Sequence, residues 1–333
     1  MQFTIKIKYL IIVILAVALL FVSEVTGVFK NKVPKNIRVE YGSSLSQIAD
    51  TLKDEKLIGS KVMFKLLAYG KIDSFKAGDH KFNSHNYFSI IKELQTSPQM
   101  MGINVTIPEG YEQREIALLL EKNGICSAEE FNSKAKASNF KEYWFLQNIP
   151  KREYELEGYL FPDTYTFGNT ESAESIIRKM LNNFDNKISA DMRNRAEKLN
   201  ISFDDVIIMA SIVEREAAAD NEYKKVAGVF YNRMKDNPET AGFLQSCATV
   251  QYILKERKDV LSLSDTKIDS PYNTYKYKGL PIGPVASPGL KTIEAALYPE
   301  NTAYLYFVAD GNGKHYFAVT YEEHQNNMRK AGI

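Results

Sequence analysis

Hydrophobic and polar positions follow several distinct periods along the chain. The first is no period at all: residues 9–22 read YLIIVILAVALLFV without a charge, after Lys6 and Lys8. The wider window to Phe29 holds a single acidic residue, Glu24. A membrane helix needs about 20 mostly apolar residues, which this window just reaches. A cleaved signal peptide has a shorter apolar core of about 7–15 residues. Val25, Thr26 and Gly27 also make a poor cleavage site, and no cysteine follows for lipidation. The pattern therefore predicts an uncleaved N-terminal membrane helix. Lys30, Lys32 and Lys35 lie beyond the span, so charge orients it weakly; a short leader before a long folded remainder favours export of the body.

A strand–turn–helix pattern then occurs twice. Residues 37–58 read IRVEYGSSLSQIADTLKDEKLI and residues 105–125 read VTIPEGYEQREIALLLEKNGI. Gly42 aligns with Gly110, Ile48 with Ile116, Ala49 with Ala117 and Leu52 with Leu120. Each copy predicts a short strand, a glycine turn and an amphipathic helix with apolar residues at i, i+1 and i+4. Two copies are too few for a solenoid, and they read as two related α+β units. The first continues through helical patterns at 62–69 and 87–94, with a strand at 78–82 between them. Residues 127–200 look helical with interruptions. Within them 157–165, EGYLFPDTY, reads as an ordered loop. Its aromatic faces suit either sugar rings or plain packing. Ile176, Ile177, Met180, Leu181 and Phe184 form a core stripe.

The most telling stretch is 202–219, SFDDVIIMASIVEREAAA. Ser202 with Asp205 three residues on is a capping box, so a helix starts there. From Val206 to Val213 it is apolar almost all round, the mark of a buried helix. Glu214 and Glu216 follow. A carboxylate at the end of a buried helix must be paired, reach solvent or keep its proton. Pairing with Arg215 or Lys224 is one reading; a general acid held neutral by its apolar surroundings is the other. Two residues apart on a helix lie about 200° apart, so the two glutamates cannot share a cleft. Tyr223, Val226, Ala227, Phe230 and Met234 predict a helix packed back on this one. Residues 272–289, YNTYKYKGLPIGPVASPG, form a long loop stiffened by glycine and proline, the kind usually kept for function. Residues 303–309 and 315–319 flank DGNGK and predict a hairpin.

Composition narrows the chemistry. The 333 residues are 44% hydrophobic and 25% charged, an ordinary globular balance with room for two or three domains. Lys plus Arg is 42 against 41 acidic residues, which argues against nucleic acid as a partner. Cys126 and Cys247 lie at no metal-ligand spacing and are either a pair or two unrelated buried thiols. The four histidines, His80, His85, His315 and His324, make no HExxH-like set. No P-loop, GxGxxG or GxSxG motif is present, which removes most nucleotide and serine-hydrolase chemistry.

Several of these stretches together resemble the YceG-like family of endolytic murein transglycosylases: MASIVERE at 209–216, EGYLFPDTY at 157–165, LQSCATVQY at 244–252, YNTY with GLPIGPVASPG within 272–289, and YLYFVADGNGKHYF at 304–317. The first unit resembles a LysM module, a β-α-α-β fold that grips glycan chains. The resemblance implies an α+β fold class: an N-terminal membrane helix, a LysM-like unit, and a mixed α+β catalytic domain built round the buried helix. The expected domains are anchor and linker at 1–35, LysM-like unit at 36–100, an intermediate region at 101–200 and the catalytic domain at 201–333. The family cuts glycan strands internally between N-acetylmuramic acid and N-acetylglucosamine and leaves 1,6-anhydro ends.

Its catalytic residue, the second glutamate of the motif, is Glu216 here; Glu214 is the fallback and otherwise a substrate-binding candidate. Gln245, Ser246, Asn273, Thr274 and Tyr275 are candidates to bind sugar and N-acetyl groups, or to hold their loops together. Cys247 and Ala248 stand where many members carry Asp and Pro, so no role is carried over to them. The resemblance implies no metal or cofactor. It implies peptidoglycan strands, the membrane and cell-wall synthases as partners, and a single-pass protein of the cell (inner) membrane with its body outside the cytoplasm. A non-catalytic scaffold recruiting synthases is the alternative. A hydrolase would need a second acid such as Asp163 or Asp310.

Overall fold

The computed structural model describes residues 19, 22–26, 34–40, 43–96, 102–168, 171–217, 219–235, 237–258, 260–310 and 313–333. Most of the apolar run at 9–22, Gly42 of the first repeat and the hairpin tip at 311–312 lie outside them. Among the described residues no helix is long and apolar enough to cross a membrane. The chain divides into two compact units, residues 1–102 and 103–333.

In the first unit β1 (Lys35–Val39) is followed by α1 (Leu45–Asp54), α2 (Lys61–Leu67), β2 (Gly78–Phe82) and α3 (Tyr87–Gln95). β1 and β2 pair antiparallel with Ile37 opposite His80. Period-two alternation sends Ile37, Val39, His80 and Phe82 inward. Local sequence sets each helix start. Ser44 and Gln47 close a capping box on α1, Ser60 accepts from the Met63 amide, and Asn86 accepts from Phe88 and Ser89. The core centres on Leu52, Phe64, Phe82, Tyr87 and Leu94.

The second unit opens with β3 (Gly102–Thr106), then α4 (Gln113–Lys122), α5 (Ala128–Lys134), β4 (Thr164–Gly168), α6 (Ala173–Lys187) and α7 (Ala190–Leu199). α8 (Phe203–Glu216), α9 (Tyr223–Met234), α10 (Cys247–Leu254), α11 (Leu290–Leu297), β5 (Tyr306–Ala309), β6 (His315–Ala318) and α12 (Tyr321–Ala331) complete it. β3 pairs with β4, and β5 with β6 in the expected antiparallel hairpin. The fold is α+β. The repeat alignment is realised residue for residue in burial: Ile48, Ala49 and Leu52 are the buried residues of α1, and Ile116, Ala117 and Leu120 are buried in α4.

α8 is the axis of this unit. Its capping box forms as expected, with Ser202 and Asp205 reciprocally bonded, and all eight residues from Val206 to Val213 are buried. α9, α10 and α11 pack against it. The stripe Ile176 to Phe184 on α6 is buried at each of its five positions. Several elements differ from the sequence reading, which predicts no helix at α10 or α12. The stretch 157–165 is not loop throughout, since Thr164 and Tyr165 begin β4. α11 was not foreseen because its N-cap, Gly289, has no side chain to signal a start. The aromatics of 157–165 turn inward: Tyr159 lies against Phe145 at 5.4 Å between centroids and donates to Asp204 at 2.5 Å. That is packing, not a sugar platform. Gly158 is required where it stands, with φ +86° and a notional Cβ only 2.7 Å from both Ile207 and Pro284. Both cysteines are free, and Cys247 is exposed where a buried thiol was expected.

Candidate active site

Three glutamates close helix starts from a distance. Each accepts a hydrogen bond from an amide in the first turn of a helix remote in sequence, where backbone donors lack partners inside the helix. Glu157 takes the Gln113 amide at the start of α4 at 3.0 and 3.1 Å. Glu214 takes the Gly289 amide at 3.0 Å and the Thr292 hydroxyl at 2.8 Å, at the start of α11. Glu216 takes the Ala248 amide at 3.0 Å and the Ser246 hydroxyl at 2.5 Å, at the start of α10. The two glutamates of the motif therefore diverge, as their spacing requires. Neither forms an ion pair among the described residues; Arg215 between them reaches Glu112 at 3.3 Å.

Their surroundings separate them further. Burial raises the Glu214 carboxyl above its usual range, with its two donors opposing that rise. Glu216, the last residue of α8, opens into a cleft of about 300 Å³. Gln245, Ser246 and Tyr275 line that cleft with it, and so do Phe230, Arg233, Cys247, Tyr306, Phe307, Tyr321 and His324. The apolar setting expected for Glu216 is replaced on one side by the two donors of α10. Aromatic rings and a guanidinium supply the rest.

Of the sequence candidates, the cleft gathers Glu216, Gln245, Ser246 and Tyr275. Glu214, Asn273 and Thr274 are not among the residues lining it. Asn273 is fully buried and donates to the Thr266 and Ile268 carbonyls at 3.0 and 2.7 Å. Its Oδ1 accepts from the Tyr275 amide at 3.0 Å. Thr274 accepts the Ser246 amide on Oγ1 at 3.0 Å and the Gln245 amide on its carbonyl at 3.1 Å. These two residues thus hold the wall on which Gln245 and Ser246 stand. The stiff loop ahead of α11 is anchored elsewhere. Val285 donates to the buried Ser211 hydroxyl of α8 at 3.0 Å, and Ser287 exchanges backbone bonds with Gly110 and Tyr111.

Arg233 is the main residue that sequence reading missed. It is nearly buried, which lowers its pKa, and it donates Nη2 to Gln245 Oε1 at 2.6 Å and Nε to the Phe243 carbonyl at 3.2 Å. Its guanidinium also lies 5.8 Å from the Tyr306 ring centroid. Gln245 needs such a clamp because its φ is +49°, a left-handed conformation uncommon outside glycine and costly when found at a site. The helical stripe on α9 carried the signal, since Arg233 falls three residues after Phe230 on the same face. Tyr306 and His324 stack at 5.1 Å, and burial with the Arg233 charge lowers the His324 pKa. Cys247 Sγ lies 3.1 Å from the Tyr275 hydroxyl, and burial raises the pKa of that hydroxyl. Among the described residues no cluster of three or more His, Cys, Asp or Glu side chains could hold a metal ion.

An α+β body around a buried helix, with one carboxylate of that helix delivered to a polar and aromatic cleft, defines the class. The chain belongs to the YceG-like family, whose model matches residues 37–330. It is 32% identical to an endolytic murein transglycosylase of Bacillus subtilis, over 90% of this chain and 85% of that protein. It is 34% identical to an endolytic murein transglycosylase of Streptococcus pneumoniae over 88% of this chain, which spans 57% of that longer relative. A solved structure of a YceG-like protein from Listeria monocytogenes superposes with a TM-score of 0.61 at 36% identity, covering 89% of this chain and 99% of that one.

Proposed function

We propose that this chain is an endolytic murein transglycosylase, a lyase acting on peptidoglycan, in keeping with the activity its curated relatives are named for. It cuts within glycan strands at the β-1,4 bond between N-acetylmuramic acid and N-acetylglucosamine, with Glu216 as its acid and then its base. One observation carries this reading: Glu216 is the only carboxylate among the described residues lining the cleft. A hydrolase of the usual kind needs a second carboxylate facing the first. The sequence candidates for that role are engaged elsewhere. Asp163 accepts from Asn183 at 3.0 Å and Thr164 at 2.8 Å, and Asp310 accepts from the Lys314 amide at 3.0 Å within the hairpin.

A single carboxyl suffices if the substrate supplies its own nucleophile. Protonated Glu216 donates to the glycosidic oxygen as the C1–O4 bond breaks, freeing the N-acetylglucosamine 4-hydroxyl. The resulting carboxylate takes the proton of the muramic acid C6 hydroxyl as that oxygen bonds to C1. The product is the 1,6-anhydro end, no water is consumed, and the enzyme regains its proton. Both described hydrogen bonds of Glu216 fall on Oε1, which leaves Oε2 to carry the travelling proton. The Ser246 hydroxyl can donate to the carboxylate or accept from the acid. Gln245, Ser246 and Tyr275 bind the sugar and its N-acetyl groups in this reading.

Residues 9–22 anchor the protein in the cell membrane with its body outside the cytoplasm, the first unit grips glycan in the manner of a LysM module, and cell-wall synthases are its neighbours. The test is purified protein on isolated glycan strands, with the products identified by mass spectrometry. Anhydro ends are expected. Reducing ends would make it a hydrolase, and uncut strands a binding scaffold.

A further inference from the structure

The described stretch 22–26 lies against the first unit, so Glu24 and Val25, which the window to Phe29 counts toward the membrane helix, belong to the folded unit instead. Val25 is buried in that unit's core, and Glu24 accepts a hydrogen bond from the Tyr87 hydroxyl at 2.7 Å. The same hydroxyl accepts the Gly59 and Ser60 amides at 2.9 Å each, and burial pushes its pKa up to about 12. Ser60 is the N-cap of α2. The chain leaving the uncharged run 9–22 is therefore fastened at the first turn of α2. At the edge of that run Leu19 and Val22 remain 70% and 57% exposed.

α2 has two apolar faces. Phe64 and Ala68 face the core, while Val62, Leu66 and Tyr69 are 76%, 73% and 83% exposed. Val62 and Leu66, four residues apart, fall on one stripe of α2, and Tyr69 follows in the turn just past its last residue, Leu67. Single exposed apolar side chains need no explanation, but three within eight residues, on one short helix and the turn that ends it, do. Lys65 and Lys71 accompany it without a described ion pair, while Lys61 is held by Asp50 at 2.7 Å. An apolar stripe accompanied by lysines and ending in a tyrosine is the pattern of a helix lying in the surface of an anionic bilayer. Three side chains also fall far short of the roughly 800 Å² per partner that a stable protein interface buries.

We propose that this face of the first unit, formed by Val62, Leu66 and Tyr69 with Lys65 and Lys71, rests on the surface of an anionic membrane beside the point where the chain leaves it. This builds on the reading of residues 9–22 as an anchor. The unit is then held at the membrane surface by two contacts, the anchor and α2.

Full-length protein in nanodiscs of phosphatidylethanolamine and phosphatidylglycerol, with and without acyl-brominated lipid, tests the idea. The wild-type chain, whose single tryptophan is Trp144 in the second unit, gives the baseline. Tyr69→Trp should add a blue-shifted signal that brominated lipid quenches at least twofold, and Leu66→Glu in that background should remove most of the quenching. A chain that fails to enter the discs overturns the anchor and this contact together. A chain that enters, with its Tyr69→Trp signal unquenched, overturns the contact alone. A blue-shifted, unquenched signal that grows with the number of chains per disc would put a second copy on the stripe and likewise refute it. Equal quenching in neutral phosphatidylcholine discs would overturn the anionic requirement.

Discussion

At the scale of single residues the proposal turns on Glu216 and the groups that hold it. Glu216→Gln keeps an acceptor for Ser246 and Ala248 but cannot pass a proton. Cleavage is expected to fall by at least about 100-fold with little change in thermal midpoint, read by product formation and calorimetry. Arg233→Met removes the clamp on left-handed Gln245. The expected result is a loss in kcat/KM of about tenfold to a hundredfold, with kcat falling and KM rising together, because Gln245 and Ser246 shift and with them both the grip on the sugar and the hydroxyl that holds Glu216. A rise in KM at unchanged kcat would instead make Arg233 a direct ligand of the substrate.

The same scale shows where sequence reasoning stops. Glu216, Gln245, Ser246 and Tyr275 could be named because three separate motifs carry them, and the fold brings these into one cleft. Asn273 and Thr274 belong to the same loop, yet they spend their hydrogen bonds inside the protein. Nothing in residue type separates the two cases. Arg233 was hidden because it sits in a helix read only for its apolar stripe. Its role depends on Gln245, whose backbone angle no pattern reports.

At the scale of elements, two that announce their own starts and turns were legible: Ser202 with Asp205 for α8, and the hairpin turn between β5 and β6. α12 was passed over, although Thr320 and Glu323 form the same kind of capping box at its start. α11 was not legible, since its start is closed by Glu214 from 75 residues away and its own N-cap is a glycine. β4 was masked by the glycine and proline just before it. The tether between α8 and the stiff loop is testable. Ser211→Ala leaves the buried Val285 amide without an acceptor and should destabilise the second unit by about 1–3 kcal/mol in chemical denaturation. Gly158→Ala should cost more, about 2–4 kcal/mol, since it adds a left-handed backbone penalty to a clash with Ile207 and Pro284.

At the scale of the whole molecule, the two units have separate cores, and each variant in the second should leave the unfolding of the first unchanged. The second unit also carries a pH dependence. Burial raises the Glu157 carboxyl from 4.5 to about 8, and burial likewise brings Glu112 to about 7. Folded protein holds those protons at a pH where the unfolded chain has released them. The contribution of these two groups to stability should therefore fall as pH rises from about 4.5 to 8 and be constant below that window. Glu157→Gln, which still accepts the Gln113 amide, should flatten most of this slope in melting curves taken across the range. An unchanged slope would remove Glu157 as its source.

The oxygen of Glu216 that closes the first turn of α10 has a practical corollary for anyone wishing to trap a glycan in place. Alanine at that position would fray the helix start along with disarming the chemistry, and a failure to bind sugar would then say nothing about recognition. On the role proposed for Glu216, the inert protein suited to soaking or pull-down experiments is the amide, which would silence proton transfer while leaving the scaffold of the cleft intact.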